Sequence, residues 1–264
     1  MILFVFEGSK EEPKVYRTLK SLYFEGSEDI TYIFNSNIYG LYNRIKKEYS
    51  DFKNIDDAAD IVSVLKELYP DSALKDINVS SDIDQIFLFF DYDMQHAYHV
   101  LKQHPEQSLE EIVKEDNDRL KEMLSFFNEE TRMGKLFISY PMIEALKYTK
   151  KLPDPNFLTY KVSLEDCHRK FKGMAEQFTD YHSGFGLLLD DDINEEVVKH
   201  KWEMLKEQNV KKANYICNEA NVLPLRKDLI SQDYVFASQQ LNYTKEGNIY
   251  ILGSFPLFLY EYFK

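Results

Sequence analysis

The segment Ile86-Phe87-Leu88-Phe89-Phe90, followed at once by Asp91-Tyr92-Asp93, constrains this chain more than any other. An unbroken apolar run that stops abruptly at acidic residues predicts a strand buried on both faces. Side chains alternate along a strand, so Asp91 and Asp93 project to the same side of its carboxyl end if the extended geometry persists. Two hard oxygen donors side by side suit Mg²⁺ or Mn²⁺. Asp also favours turns and strand ends, so the Asp-Tyr-Asp triplet alone is compatible with plain turn chemistry.

A second apolar run, Ile2–Phe6, starts almost at the first residue and is closed by Glu7 and Gly8. It reads as another central strand. Apolar residues at helical spacing predict helices over Pro13–Phe24, Asn37–Tyr49, about Asp56–Tyr69 and about Leu109–Phe127, while the β-formers of Asp29–Asn35 and the run Lys135–Tyr140 predict strands. The stretch from the Asp pair through His104-Pro105 reads as a polar connection, and Pro141 suits the first turn of a further helix carrying Ile143 and Glu144. The alternation β-α-β-α-α-β-α-β-α implies an α/β fold, a mostly parallel sheet with helices on both faces, in which sites form outside the carboxyl ends of the strands. Glu7 is then expected beside Asp91 and Asp93, with Glu11 returning to the same place. Converging carboxylates repel unless cations neutralise them, and one or two Mg²⁺ ions would do so.

Pro153 and Pro155 mark Lys151–Tyr160 as a connection, which divides the chain into residues 1–150 and a mainly helical part over residues 151–264. Helices are expected there at Leu164–Tyr181, Asn194–Gln208, Val210–Asn218 and Leu225–Gln239, then a short strand in Asn248–Leu252 and an apolar helix in Leu257–Phe263. Asp190-Asp191-Asp192 reads as a turn and helix start, with a second metal site as the lesser alternative.

A net charge of −13 argues against a protein that coats nucleic acid through unspecific phosphate contacts. It leaves room for a nuclease, because metal ions in an acidic site recruit phosphates. Local basic runs such as Arg44 to Lys47, Lys147 to Lys151 and Lys211-Lys212 fit either a groove wall or solvated helix faces. Cys167 and Cys217 stand alone, without zinc-ligand spacing, which fits a reducing cytoplasm. No segment has the length and apolarity of a membrane span, and the amino terminus lacks the features of a signal peptide.

Phe4-Val5-Phe6-Glu7-Gly8-Ser9-Lys10-Glu11, followed much later by Phe87-Leu88-Phe89-Phe90-Asp91-Tyr92-Asp93, resembles the Toprim domain in its nuclease-like branch, that of the OLD-family and RloB-like bacterial proteins. The resemblance covers about residues 1–150. It implies that Glu7, Asp91 and Asp93 are the catalytic and metal-binding acids, with Glu11 matching a second Glu of the first motif. Ser139-Tyr140-Pro141 stands where RloB-like proteins carry an Asn-Pro-type turn followed by a Glu. Glu144 is therefore either a further metal ligand or a first-turn carboxylate favoured by the helix dipole.

By that resemblance the chain is a metal-dependent nuclease acting on DNA or RNA, including transfer RNA, in bacterial phage defence beside an ATPase partner. The chain itself carries no P-loop. The alternative is a non-catalytic Toprim-like module that docks to an ATPase or a phage protein. A haloacid-dehalogenase-type phosphatase also uses an apolar strand ending in Asp-x-Asp, but on its first strand, and a phosphate-receiver domain fits the length poorly. His96 and His99, just past the acidic pair, read as a proton-transfer candidate or as ordinary surface histidines.

Overall fold

In the computed structural model the described residues are 1–49, 61–68, 74–75, 77, 82–92, 94–131, 133–178, 186–189 and 194–263. The elements run β1 (Ile2–Phe6), α1 (Glu11–Tyr23), β2 (Asp29–Ile33), α2 (Ile38–Tyr49), α3 (Ile61–Leu68), β3 (Gln85–Asp91), α4 (Met94–Gln103), α5 (Leu109–Phe126), β4 (Asn128–Glu129) and β5 (Gly134–Ser139). Then follow β6 (Lys161–Ser163), α6 (Leu164–Arg169), α7 (Phe171–Phe178), α8 (Glu195–Asn218), α9 (Gln232–Glu246), β7 (Asn248–Tyr250) and α10 (Ser254–Tyr262). A five-stranded, mostly parallel sheet in the order β2-β1-β3-β5-β4 is flanked by helices and followed by a mainly helical part, which is the α/β architecture expected. Among the described residues no helix is long and apolar enough to cross a membrane.

The chain gathers into two compact units. One comprises Met1–Pro13, Glu25–Phe90 and His96–Leu136; the other comprises Lys14–Phe24, Asp91–Gln95 and Phe137–Lys264.

In the first unit β1 is buried along its whole length, as its continuous apolar run requires. It pairs in parallel with β2, from Ile2 opposite Asp29 to Phe6 opposite Ile33, and with β3, from Ile2 opposite Gln85 to Phe6 opposite Phe89. Period-two alternation puts Phe4 and Phe6 on one face, and the register sets Phe87 and Phe89 beside them, with ring centroids 5.7 Å apart in both cross-strand pairs. Gly134 opens β5 at φ +94°, and a Cβ there would lie 2.6 Å from Leu88 Cδ1, so only glycine lets β5 start against β3. Helix α5 begins with a capping box, Ser108 accepting from the Glu111 N–H while the Glu111 carboxylate accepts from the Ser108 N–H. Tyr42 of α2 donates to Glu122 of α5 at 2.8 Å.

The second unit is built on the 24-residue α8, which packs against α9 and α10. Its fully buried Trp202 donates to the Leu187 carbonyl, and Tyr23 of α1 donates to Glu203 at 2.7 Å. Strands β6 and β7 pair antiparallel.

Several local expectations give way. The expected polar connection after β3 is helix α4, whose Met94 and Ala97 are buried one turn apart. The helix expected after Pro141 is only a 3-10 turn, Ile143–Lys147. Ile143, Glu144, Ala145 and Leu146 are all buried there, leaving no polar face, and Met142 offers no side-chain cap. Leu164–Tyr181 is divided into α6 and α7. The two helices expected on either side of Asn209 are one, because Asn209 is satisfied inside the core: its amide donates to the Leu205 carbonyl and its side-chain oxygen accepts from the Gly253 N–H. Only Ile61–Leu68 of the helix expected near Asp56–Tyr69 belongs to the described residues, and Asp190-Asp191-Asp192 lies outside them.

Candidate functional site

The order β2-β1-β3 reverses direction at β1: the chain leaves β1 for β2 on one side and returns to β3 on the other. Such a switch point opens a crevice outside the carboxyl ends of the two strands. Glu7 is the first residue beyond β1, half-buried, and its backbone is held from both sides. Its N–H donates to the Phe89 carbonyl at 3.1 Å, and its own carbonyl accepts from the Asn35 N–H at 3.0 Å. Asn35 turns the chain away from β2 at φ 54°, a conformation Asn tolerates better than most residues.

Glu11 and Glu12 both stand in the first turn of α1, where the helix dipole favours negative charge. They differ in burial. Glu11 is half-buried, whereas Glu12 is 8% exposed and folds back so that its carboxylate accepts from the Gly8 N–H at 3.3 Å. A Cβ on Gly8 would lie 3.1 Å from a Glu12 oxygen, so the glycine after Glu7 makes room for this second carboxylate. The sequence reading passed over Glu12; the only signal for it was its place one residue after Glu11.

Asp91 is the last residue of β3 and half-buried. Asp93 lies outside the described residues. Next to Asp91, the Tyr92 N–H donates to the Ser139 carbonyl at 2.9 Å. Glu144 is buried and already faces a cation, the Lys172 ammonium of α7 at 3.2 Å.

Among the described residues no three His, Cys, Asp or Glu side chains are grouped to hold a metal ion. Glu7 thus follows β1 and Glu11 stands on the next helix in the first unit, while in the second unit Asp91 precedes the Tyr92 bond to Ser139 and Glu144 has a basic partner. Glu7 and Asp91 are both hard oxygen donors. Mg²⁺ commonly takes only one or two protein carboxylates, completing its shell with water and substrate phosphate, so each of these carboxylates is a donor of the type that ion takes.

Two further groups have partners in the structure that the sequence does not show. His96 in the first turn of α4 has its Nδ1 2.8 Å from Asp116 of α5, and Asp116 also accepts from Arg119 at 3.2 Å. Asp116 was visible in principle, as an acid set among Ile112, Val113 and Leu120 on a mostly apolar stripe. In the second unit the buried Lys212 donates from Nζ to the Tyr160 carbonyl at 2.8 Å and lies 4.4 Å over the Phe157 ring; burial pushes its pKa well below the usual lysine range.

Comparison of the chain with family models, curated proteins and solved structures returns no match.

Proposed function

We propose that this chain is a Mg²⁺- or Mn²⁺-dependent nuclease of Toprim type, hydrolysing phosphodiester bonds of DNA or RNA. The observation that carries the reading is the strand-end carboxylate at the switch point, where Glu7 follows β1 with its N–H bonded to the Phe89 carbonyl of the adjacent parallel β3. Glu7, Asp91 and Asp93 would hold the divalent ion, and Glu11 would be the candidate for a second one. A bound cation there supplies Lewis acidity to the phosphate and lowers the pKa of water. The chain's own part is positioning: the two backbone hydrogen bonds at Glu7 fix its carboxylate's origin, and the Tyr92 bond to Ser139 anchors the residue after Asp91. By its resemblance to the OLD-like and RloB-like proteins, the nuclease serves in cytoplasmic phage defence, with an ATPase supplied by another chain.

The test incubates wild type and the Asp91→Ala/Asp93→Ala variant with Mg²⁺ or Mn²⁺ and supercoiled plasmid, linear DNA or total transfer RNA. Cutting by wild type alone supports the reading and names the substrate class. Absence of both cutting and divalent-ion binding in wild type defeats it.

The Glu144–Lys172 pair favours a second reading, in which the carboxylates are structural and the chain is a Toprim-like module docking to an ATPase or phage protein. Such a module keeps its partner contact after Asp91→Ala.

A further inference from the structure

The geometry points to His96 as the group that protonates the leaving oxygen in this reaction, an inference that rests on the nuclease reading. Its ring is held from two sides within the first unit. Nδ1 faces the Asp116 carboxylate at 2.8 Å, and Asp116 is itself only 5% exposed and held by Arg119. The Tyr39 ring lies against the imidazole, with centroids 4.7 Å apart. A carboxylate at Nδ1 sets the tautomer: Nδ1 carries a proton and donates it, which leaves Nε2 as the exchangeable nitrogen. The His96 side chain keeps 19% of its surface exposed, so the ring is anchored yet reachable. His99, one turn nearer the helix middle, is exposed and hydrogen-bonded to Gln103. The two histidines that the sequence could not separate are therefore different in kind.

A chain of contacts within the first unit runs from Glu7 to His96. Asn35, whose N–H is bonded to the Glu7 carbonyl, leads within four residues to Tyr39 in the first turn of α2. Tyr39 then stacks on His96, and both residues belong to the same unit as Glu7. In sequence His96 also follows Asp91 by five residues.

The step balances as follows. The attacking water gives one proton to solvent, its oxygen bonds to phosphorus as the bond to the leaving oxygen breaks, and that oxygen takes the Nε2 proton of the imidazolium. The imidazole regains a proton from solvent. His96 is then a catalytic residue, and Asp116 a positioning residue acting through it.

Sulfur in place of the leaving oxygen provides the test, because a thiolate departs without protonation. Wild type, His96→Ala and Asp116→Asn are assayed with Mn²⁺ on short DNA and RNA oligonucleotides, each made with ordinary diesters and with sulfur at either bridging position. His96→Ala is expected to be about 100- to 1000-fold slower on the oxygen esters and within about threefold of wild type on the sulfur ester. Its affinity for Mn²⁺ alone should be unchanged. Asp116→Asn, which preserves side-chain shape, should show the same selective loss and carries the test where His96→Ala does not fold. Equal losses on oxygen and sulfur esters overturn the role of His96 while leaving the nuclease standing. A weakened Mn²⁺ affinity also overturns it, by making His96 a metal ligand. If wild type cuts none of the substrates, the nuclease reading falls and takes this inference with it.

Discussion

Glu144 and Lys172 face each other at 3.2 Å, the carboxylate buried and the ammonium more than half exposed. A carboxylate with a cation already beside it has less need of a metal ion. Glu144→Gln is therefore expected to leave Mg²⁺ or Mn²⁺ binding intact and to lower stability by no more than about 1 kcal/mol, the range of a partly solvated ion pair. Calorimetric titration with Mn²⁺ and urea denaturation read the two quantities. Loss of metal binding would place Glu144 among the ligands.

Lys212 is expected to be a net burden at neutral pH. Burial depresses its pKa, so between that value and the unfolded-state value of about 10.4 the unfolded chain binds the extra proton and stability rises with pH. Lys212→Met removes this dependence. The Tyr160 carbonyl keeps its other donor, the Ile251 N–H at 3.2 Å. The variant should gain about 1–3 kcal/mol at pH 7, and its advantage should shrink as pH approaches 10. Urea denaturation across that range measures the difference between the two proteins.

Asp154 behaves in the opposite sense. Burial alone would raise its pKa, but hydrogen bonds from the Lys150 and Asn156 N–H groups and from the Tyr160 and Thr149 hydroxyls outweigh burial and hold it below the ordinary carboxylate value. A depressed acid contributes stability above its unfolded pKa and loses it as pH falls through the folded one. Asp154→Asn should cost about 2–3 kcal/mol at pH 7, with the gap from wild type closing below about pH 4. Thermal melts at pH 7 and at pH 3 test both parts.

Gly134→Ala should destabilise by about 2–4 kcal/mol, since it combines an unfavourable positive φ with a methyl group driven into Ile86 and Leu88. Gly26, also at positive φ but with no neighbour within 4 Å of its Cβ position, should cost less on the same change. Comparing the two variants' denaturation midpoints separates backbone strain from steric overlap.

The strands were legible where burial is two-sided. Ile2–Phe6 and Ile86–Phe90 leave no polar face to confuse the period, and the parallel pairing that brings their ends together follows the alternation of elements. Helix α8 was not, because Gln208, Asn209 and Lys212 put polar groups on its buried side. A hydrophobic stripe is a one-dimensional signal, and partners such as Gly253 for Asn209 exist only once the chain has folded. Helix α4 was hidden by its Gln and His content. For the same reason Glu7 was legible as a strand-end acid, whereas the link from Asp116 to His96 joins residues 20 positions apart on two helices and has no local signature.

The second unit is assembled from three separate stretches of chain, Lys14–Phe24, Asp91–Gln95 and Phe137–Lys264. No single crossover in the gene can therefore hand it on as a cassette. An exchange at residue 151 transfers β6, β7 and α6 to α10 but leaves behind α1 from Lys14 onward, the Asp91 segment and the end of β5. Homologous recombination would separate Tyr23 from Glu203 and Ser139 from Ser254, whose side chains are hydrogen-bonded at 2.7 and 2.8 Å. Inheritance of this chain by parts thus carries a penalty at each of those pairs, and its two units are expected to have diverged together rather than by shuffling.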